Sequence, residues 1–127
     1  MLALLAGPAG AQVVPPPGMD VYVLGEVHDN PTHHAEQARL LALVAPKTVV
    51  WEMLTPEQVA AMGGVDRTDL AAMEKALDWA HSGWPDFAMY HPIFAAAGGA
   101  AHLGATVPRA DLRKAIGEGA GAALGER

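Results

Sequence analysis

The stretch VYVLGEVHDNPTHHAEQARLLALVAPKTVVWEM, residues 21–53, decides the fold because it places a helix pattern between two strand patterns. VYVL at 21–24 is an unbroken apolar run, typical of a strand covered on both faces of a parallel sheet, and TVVWEM at 48–53 repeats that signature. Between them, Asn30 can cap a helix and Pro31 suits its first turn. Strand, helix and strand predict one βαβ unit with a right-handed crossover.

The rest of the chain continues the alternation of helices and strands. Ala38, Leu41 and Ala45 form one apolar stripe of the first helix, with Glu36 and Arg39 on its outer side. Further patterns predict a short helix after Thr55-Pro56, a helix over Asp69–His81, a third strand within Ala100–Val107 and an Ala-rich helix over Ala110–Leu124. The predicted fold class is α/β, with a mostly parallel sheet and helices packed on it.

Composition excludes several classes of function. The chain has 127 residues, and its 14 acidic against 8 basic residues give a net charge of -6, the wrong sign for a nucleic-acid partner. No run approaches the roughly 18 to 20 apolar residues of a transmembrane segment. The absence of cysteine excludes disulfides and thiolate metal sites, so any metal is held by His, Glu, Asp, Tyr or Met.

The N-terminal region reads as two short segments before a folded domain over residues 19–127. Met1–Gln12, MLALLAGPAGAQ, is similar to the apolar region and cleavage site of a secretory signal, although it lacks a basic start. It predicts an exported protein; the alternative is an ordinary apolar N-terminus. Val13–Gly18, VVPPPG, predicts a stiff spacer, so residues 1–18 are a signal-like segment and a Pro-rich spacer.

The sharpest chemical motif is GEVHDNPTHH, residues 25–34, where the first strand gives way to the helix. Glu26 and His28 lie at the carboxyl end of that strand, where α/β sheets bind ligands, and Glu52 ends the next strand. If the two strands are neighbours, these three side chains converge across roughly 5 Å. Two carboxylates and an imidazole can bind a divalent metal or activate a water.

A structural alternative applies to the same motif. Glu26 and Asp29 would then satisfy N–H groups of the loop, while His33 and His34 would lie on the exposed first turn of the helix. Adjacent helical residues point about 100° apart, so these two histidines are weak evidence for a metal.

The second motif is SGWPDFAMYHPIF, residues 82–94, in which two prolines are expected to break regular structure. Trp84 and Phe94 suit the wall of a site for a flat apolar ligand, and Tyr90 and His91 are candidate iron ligands. The alternative is that the aromatic residues supply bulk to an Ala-rich core. The methionines are expected in the core as well, namely Met53, Met62 and Met73.

Four blocks in order extend this picture: LGEVHDNPTHHAEQ, WEML, SGWPDFAMYHPIF and ATVPRADLRKAI. Together they resemble the ChaN family of haem-binding uptake proteins, in the Tiki and erythromycin-esterase-like superfamily, from Met19 to Leu124. The resemblance implies a bacterial, exported, often lipid-anchored α/β protein that binds haem in iron acquisition, with a homodimer among the expected assemblies. Members are usually about twice as long, so the resemblance covers an N-terminal half with an incomplete sheet, and the lipobox cysteine of lipoprotein members has no counterpart.

Three hypotheses follow. The first is a haem-binding protein in which Tyr90, with or without His91, ligates iron and Trp84 and Phe94 pack against the macrocycle. The second is a metal-assisted or His-based hydrolase, because relatives in the wider superfamily use the residues that correspond to Glu26 and His28 for hydrolysis. The third is an incomplete, nonfunctional fragment of such a protein.

Overall fold

The computed structural model describes residues 2–5, 12–119, 121 and 125. The elements in chain order are β1 (Leu2–Leu5), β2 (Val21–Leu24), α1 (Pro31–Val44), β3 (Thr48–Trp51), α2 (Pro56–Ala61), α3 (Leu70–Ala76), a 3-10 turn (Trp79–His81), α4 (Phe87–Ala96), β4 (Ala101–Gly104) and α5 (Arg109–Glu118). Among these described helices, none is long and apolar enough to cross a membrane.

The strands form two parallel pairs, which confirms the predicted α/β class. β1 pairs with β2, and β3 pairs with β4 so that Val50 lies opposite Leu103. The condition for convergence of Glu26, His28 and Glu52, that β2 and β3 are neighbours, is not met among the described residues, because the two strands belong to separate two-stranded sheets. A cleft of about 780 Å³ is instead lined by residues of β2, α1 and β3.

The ends of α1 follow the predicted signals. The Asn30 side chain accepts hydrogen bonds from the main-chain N–H groups of Thr32 and His33, and Pro31 occupies the first turn. The helix ends at Val44, because Ala45 takes a left-handed conformation with φ of 44° ahead of Pro46. Local capping chemistry therefore sets both boundaries of this helix.

Two predicted helices differ in extent from the observed ones. The segment Asp69–His81 is not one helix: α3 ends at Ala76, and Asp78, at a left-handed φ of 48°, separates it from the 3-10 turn. The last helix, α5, runs from Arg109 to Glu118. The remainder of the expected Ala110–Leu124 helix includes residues 120 and 122–124, which lie outside the described residues.

The motif at residues 82–94 is mainly helical, contrary to the expectation that its prolines break regular structure. Pro92 lies inside α4 and removes one N–H that would otherwise bond to the carbonyl of Ala88. Both residues are exposed, so that carbonyl can bind water. Burial of the other face of α4 then outweighs the loss of a single hydrogen bond.

One apolar core joins α1, α4 and the inner face of the β3–β4 pair. At its centre the rings of Trp51 and Phe94 stack with centroids 4.0 Å apart and planes 6° from parallel. The prediction that the methionines lie in the core is confirmed for Met53, Met62 and Met73, all of them buried. The aromatic residues of α4 thus supply the bulk that the alanines lack.

The Pro-rich spacer is attached to the domain at two points. The Tyr22 hydroxyl donates to the carbonyl oxygen of Pro16 at 2.6 Å. The main chain of Val13 donates to Glu36 Oε1 at 3.3 Å and accepts from the Arg39 guanidinium. The signal-like reading of Met1–Gln12 depends largely on residues 1 and 6–11, which lie outside the described residues.

Gly104, the last residue of β4, permits a close approach of that strand to the start of α2. A Cβ atom there would lie 2.5 Å from the main chain of Thr55 and 2.6 Å from the carbonyl oxygen of Leu54. The same Leu54 oxygen accepts a hydrogen bond from the N–H of Thr106 at 2.9 Å. Only a residue without a side chain fits this crossing without moving the backbone.

We therefore expect Gly104→Ala to lower the free energy of unfolding by about 1–3 kcal/mol, as overpacking does. Gly99→Ala is the matched control, because a Cβ at Gly99 meets nothing within 4 Å. Its effect should stay within about 0.5 kcal/mol. Urea unfolding of both variants measures the difference, and equal midpoints would contradict the proposed steric constraint at Gly104.

A hydrogen bond between Trp51 and His102 makes part of the stability dependent on pH. Trp51 Nε1 donates to His102 Nδ1 at 2.8 Å, which requires a neutral imidazole. Burial lowers the pKa of His102, and the positive charge of Arg67 lowers it further. The unfolded chain therefore binds this proton at higher pH than the folded chain does.

The contribution of His102 to the free energy of unfolding is fully present above the ordinary histidine pKa of about 6.5. It declines as the pH falls from there toward the lower pKa of the folded state. His102→Gln retains an acceptor for Trp51 but does not titrate. The difference in melting temperature between the parent protein and this variant should consequently change between neutral and acidic pH. A constant difference would show that His102 is not the titrating group.

Candidate functional site

A buried carboxylate lies at the carboxyl end of β2. The Glu26 side chain is 8% exposed and contacts groups from three parts of the chain. His28 Nδ1 lies 2.9 Å from its Oε1, and His34 Nε2 lies 3.0 Å from its Oε2. The Tyr90 hydroxyl donates to Oε1 at 3.2 Å and shares its proton with the carbonyl oxygen of His28 at 3.1 Å. We call Glu26, His28, His34 and Tyr90 the Glu26 cluster.

The loop that carries His28 is fixed by hydrogen bonds to the start of α1. The N–H of Val27 donates to His33 Nδ1 at 2.9 Å, and the N–H of Asn30 donates to the carbonyl of Val27 at 2.9 Å. Gln37 donates to the carbonyl of Leu24 at 3.3 Å and ties α1 to the end of β2. The loop thus holds Glu26 and His28 on one side of the helix N-terminus.

The expectation that His34 is exposed is wrong, because its side chain is completely buried. His34 packs on the Tyr90 ring with centroids 4.1 Å apart. Its contact with Glu26 is close but lacks hydrogen-bond alignment, and neither ring nitrogen has a hydrogen-bond partner among the described residues. The sequence held the signal, because His34, Ala38 and Leu41 recur at helical spacing on the apolar stripe.

Tyr90 lies beneath the site and not on its surface. The side chain is completely buried, and burial raises the pKa of its hydroxyl above the ordinary value of about 10. The charge of Glu26 and the hydrogen bond to it raise the pKa further. Smaller contributions in the same direction come from Glu52 and Asp29. The Tyr90 hydroxyl is thereby held as a hydrogen-bond donor to Glu26, so ligation of iron by Tyr90 would require it to give up that hydrogen bond.

His28 is the accessible member of the Glu26 cluster. Its side chain is 49% exposed and meets the Trp84 indole edge to face, with ring centroids 4.7 Å apart. With the proton on Nδ1 directed at Glu26, Nε2 carries a lone pair and has no hydrogen bond to the described part of the chain. The arrangement is that of an imidazole oriented by a carboxylate, suited to metal ligation or proton transfer.

Glu52 does not join Glu26 and His28 as the metal hypothesis requires. It is exposed after β3, a strand that does not pair with β2. In residues 2–5, 12–119, 121 and 125, no group of three His, Asp or Glu side chains is placed to hold a metal ion. The expected convergence required β2 and β3 to be adjacent, but a cleft lies between these two strands.

The remaining candidates of the second motif lie at different depths. Phe94 is completely buried against Trp51, so in this structure it is part of the core and not of a surface wall for a ligand. His91 is partly buried beside Phe87, with ring centroids 5.8 Å apart. Trp84, half-buried against His28, is the aromatic residue of this motif that reaches the Glu26 cluster from outside.

The fold and site define an α/β protein with a carboxylate-held histidine beside an apolar cleft. A sequence model of the family described as "Haem-binding uptake, Tiki superfamily, ChaN" matches residues 17–127. The chain belongs to this family, as the four sequence blocks suggested. Comparisons with curated proteins and with solved structures gave no match.

Proposed function

We propose that this protein binds haem as an uptake protein of its family, with His28 as the residue that would hold the iron. Membership of a family described as haem-binding gives the ligand class. The observation that favours His28 is the contact of its Nδ1 with Glu26 Oε1 at 2.9 Å, which leaves Nε2 available on a half-exposed ring. Haem iron is commonly held by such an imidazole.

The carboxylate behind the ring supports this role. A histidine ligand that donates its other N–H to a carboxylate is fixed in tautomer and orientation, and it becomes a stronger base. Glu26 is itself held by Tyr90 and contacts the buried His34 ring, so the ligand is positioned before iron binds. Bound haem would supply an open coordination position on its iron for this nitrogen.

The neighbouring cleft fits a large apolar ligand. Its volume of about 780 Å³ falls within the usual range for small-molecule sites, and its walls are largely the apolar residues of β2, α1 and β3. Asp20, Glu26 and Glu52 lie among the lining residues. Because these carboxylates repel the haem propionates, the propionates are expected to point toward solvent.

His28 is a better ligand candidate than either residue that the sequence suggested. Ligation by Tyr90 would require the buried hydroxyl to lose its proton against a raised pKa and to abandon Glu26. His91 Nε2 is buried and has no hydrogen-bond partner among the described residues, so it would reach haem only after α4 rearranged. Variants of Tyr90 and His91 are therefore included in the titration that tests the ligand.

Ferric haem titration followed by the Soret band tests the ligand. We expect His28→Ala to lose the ligand-dependent Soret shift, while Tyr90→Phe and His91→Ala retain it. His81→Ala is the matched control, because His81 Nδ1 also contacts a carboxylate, Asp78 Oδ1 at 2.7 Å, on an exposed ring outside the cleft lining.

Loss of the shift in Tyr90→Phe with retention in His28→Ala would return the ligand to Tyr90. No shift in the parent protein would contradict haem binding itself. Circular dichroism and thermal melting of each variant show whether it is folded, and they also test the hypothesis that this chain is a nonfunctional fragment.

A second candidate function, a His-based hydrolase, is favoured by the same Glu26–His28 pair. A buried carboxylate that orients an exposed imidazole is the base-and-orienter arrangement of many hydrolases. We expect any ester hydrolysis at this site to fall by about 100-fold or more in His28→Ala, the usual scale for a general base. Hydrolysis of a p-nitrophenyl ester, with and without divalent metal, measures it, and equal rates in Glu26→Gln and the parent would exclude this pair.

A further inference from the structure

The β3–β4 pair has one face that no described element covers. On this outer face, defined by Thr48, Val50, Ala101 and Leu103, the two largest apolar side chains are 62% exposed at Val50 and 55% exposed at Leu103. They are partners in the strand register and therefore lie side by side. Parallel sheets are normally covered on both faces, because each face carries apolar side chains. The apolar core covers only the opposite face of the β3–β4 pair.

The helix that follows β4 has an unused apolar stripe. Leu112 is 51% exposed and Ile116 is 79% exposed, and their spacing of one turn places them on the same side of α5. No described side chain of α5 is buried. A polar side, which includes Lys114, lies opposite this stripe.

We propose that α5 docks on the outer face of the β3–β4 pair and buries this stripe against Val50 and Leu103. Residues 105–108 connect β4 to α5, a length typical of links between a strand and the helix that packs back on its sheet. The rise of about 1.5 Å per helical residue and about 3.3 Å per strand residue places Leu112 near Leu103. Ile116 then lies toward Thr48 and Ala101.

The tether favours α5 over a second copy of the chain as the occupant. A short connection, residues 105–108, gives the helix an effective concentration on the order of millimolar at the outer face. In dilute protein, a second copy would have to outcompete that concentration with the same apolar stripe. The outer face borders the proposed haem cleft, because Thr48 and Val50 also line that cleft, so docking of α5 is tested in the protein without added haem.

Engineered disulfide formation tests the docking in a background without thiols, since the chain has no cysteine. The test variant carries Val50→Cys and Leu112→Cys in the full chain, because Leu112 lies at the level of Leu103 and of its strand partner Val50 in the docked helix. The matched control carries Val50→Cys and Lys114→Cys, with the second thiol on the polar side of α5. A disulfide needs Cα atoms about 4–7 Å apart, so it samples docked states closely.

We expect the Val50/Leu112 pair to form an intramolecular disulfide under mild oxidation at least about tenfold faster than the Val50/Lys114 pair, reflecting the facing geometry. Equal rates in the two pairs would overturn the docking. A disulfide formed only between chains would identify a second copy as the occupant and would overturn it too.

Thermal unfolding gives a second readout without cysteines. Docked α5 predicts that Ile116→Asp lowers the melting temperature and that Lys114→Asp leaves it nearly unchanged. If both substitutions have the same effect, the stripe is not buried and the proposal fails.

Discussion

The buried carboxylate of Glu26 is the interaction on which the site depends. It joins the end of β2 to His34 of α1 and Tyr90 of α4, two helices that pack against each other. A carboxylate in such a position is costly unless its oxygens meet donors, so the surrounding groups are constrained to keep their places. The exposed orientation of His28 follows from this constraint.

The same cluster explains why the chemistry of the site is divided between two depths. Tyr90, which donates to Glu26, and the His34 ring beside Glu26 lie in the interior, whereas His28 is half-exposed and meets Trp84. A raised pKa keeps the Tyr90 hydroxyl protonated and able to donate. The inner residues therefore position the carboxylate, and the outer imidazole faces the ligand.

Predictions from the sequence succeeded where local chemistry decides the structure. The boundaries of α1 follow from Asn30, Pro31 and the residues before Pro46, and the burial of the methionines follows from composition. They failed where the outcome depended on distant partners. The strand β3 pairs with β4 and not with β2. The helix α4 retains Pro92 because its apolar face is buried. The helical spacing of His34 with the apolar stripe indicated that it is buried, but the polarity of a histidine argued for exposure.

By itself the sequence determined the family, the α/β class, and the position of Glu26 and His28 at the end of a strand, because motifs and hydrophobic periodicity are local properties of the chain. The tertiary structure alone decided that His34 and Tyr90 meet Glu26 and that Glu52 stays apart. Those contacts join residues as many as 64 positions apart. Contacts between residues so far apart in the sequence depend on strand order and helix packing, which no local pattern specifies.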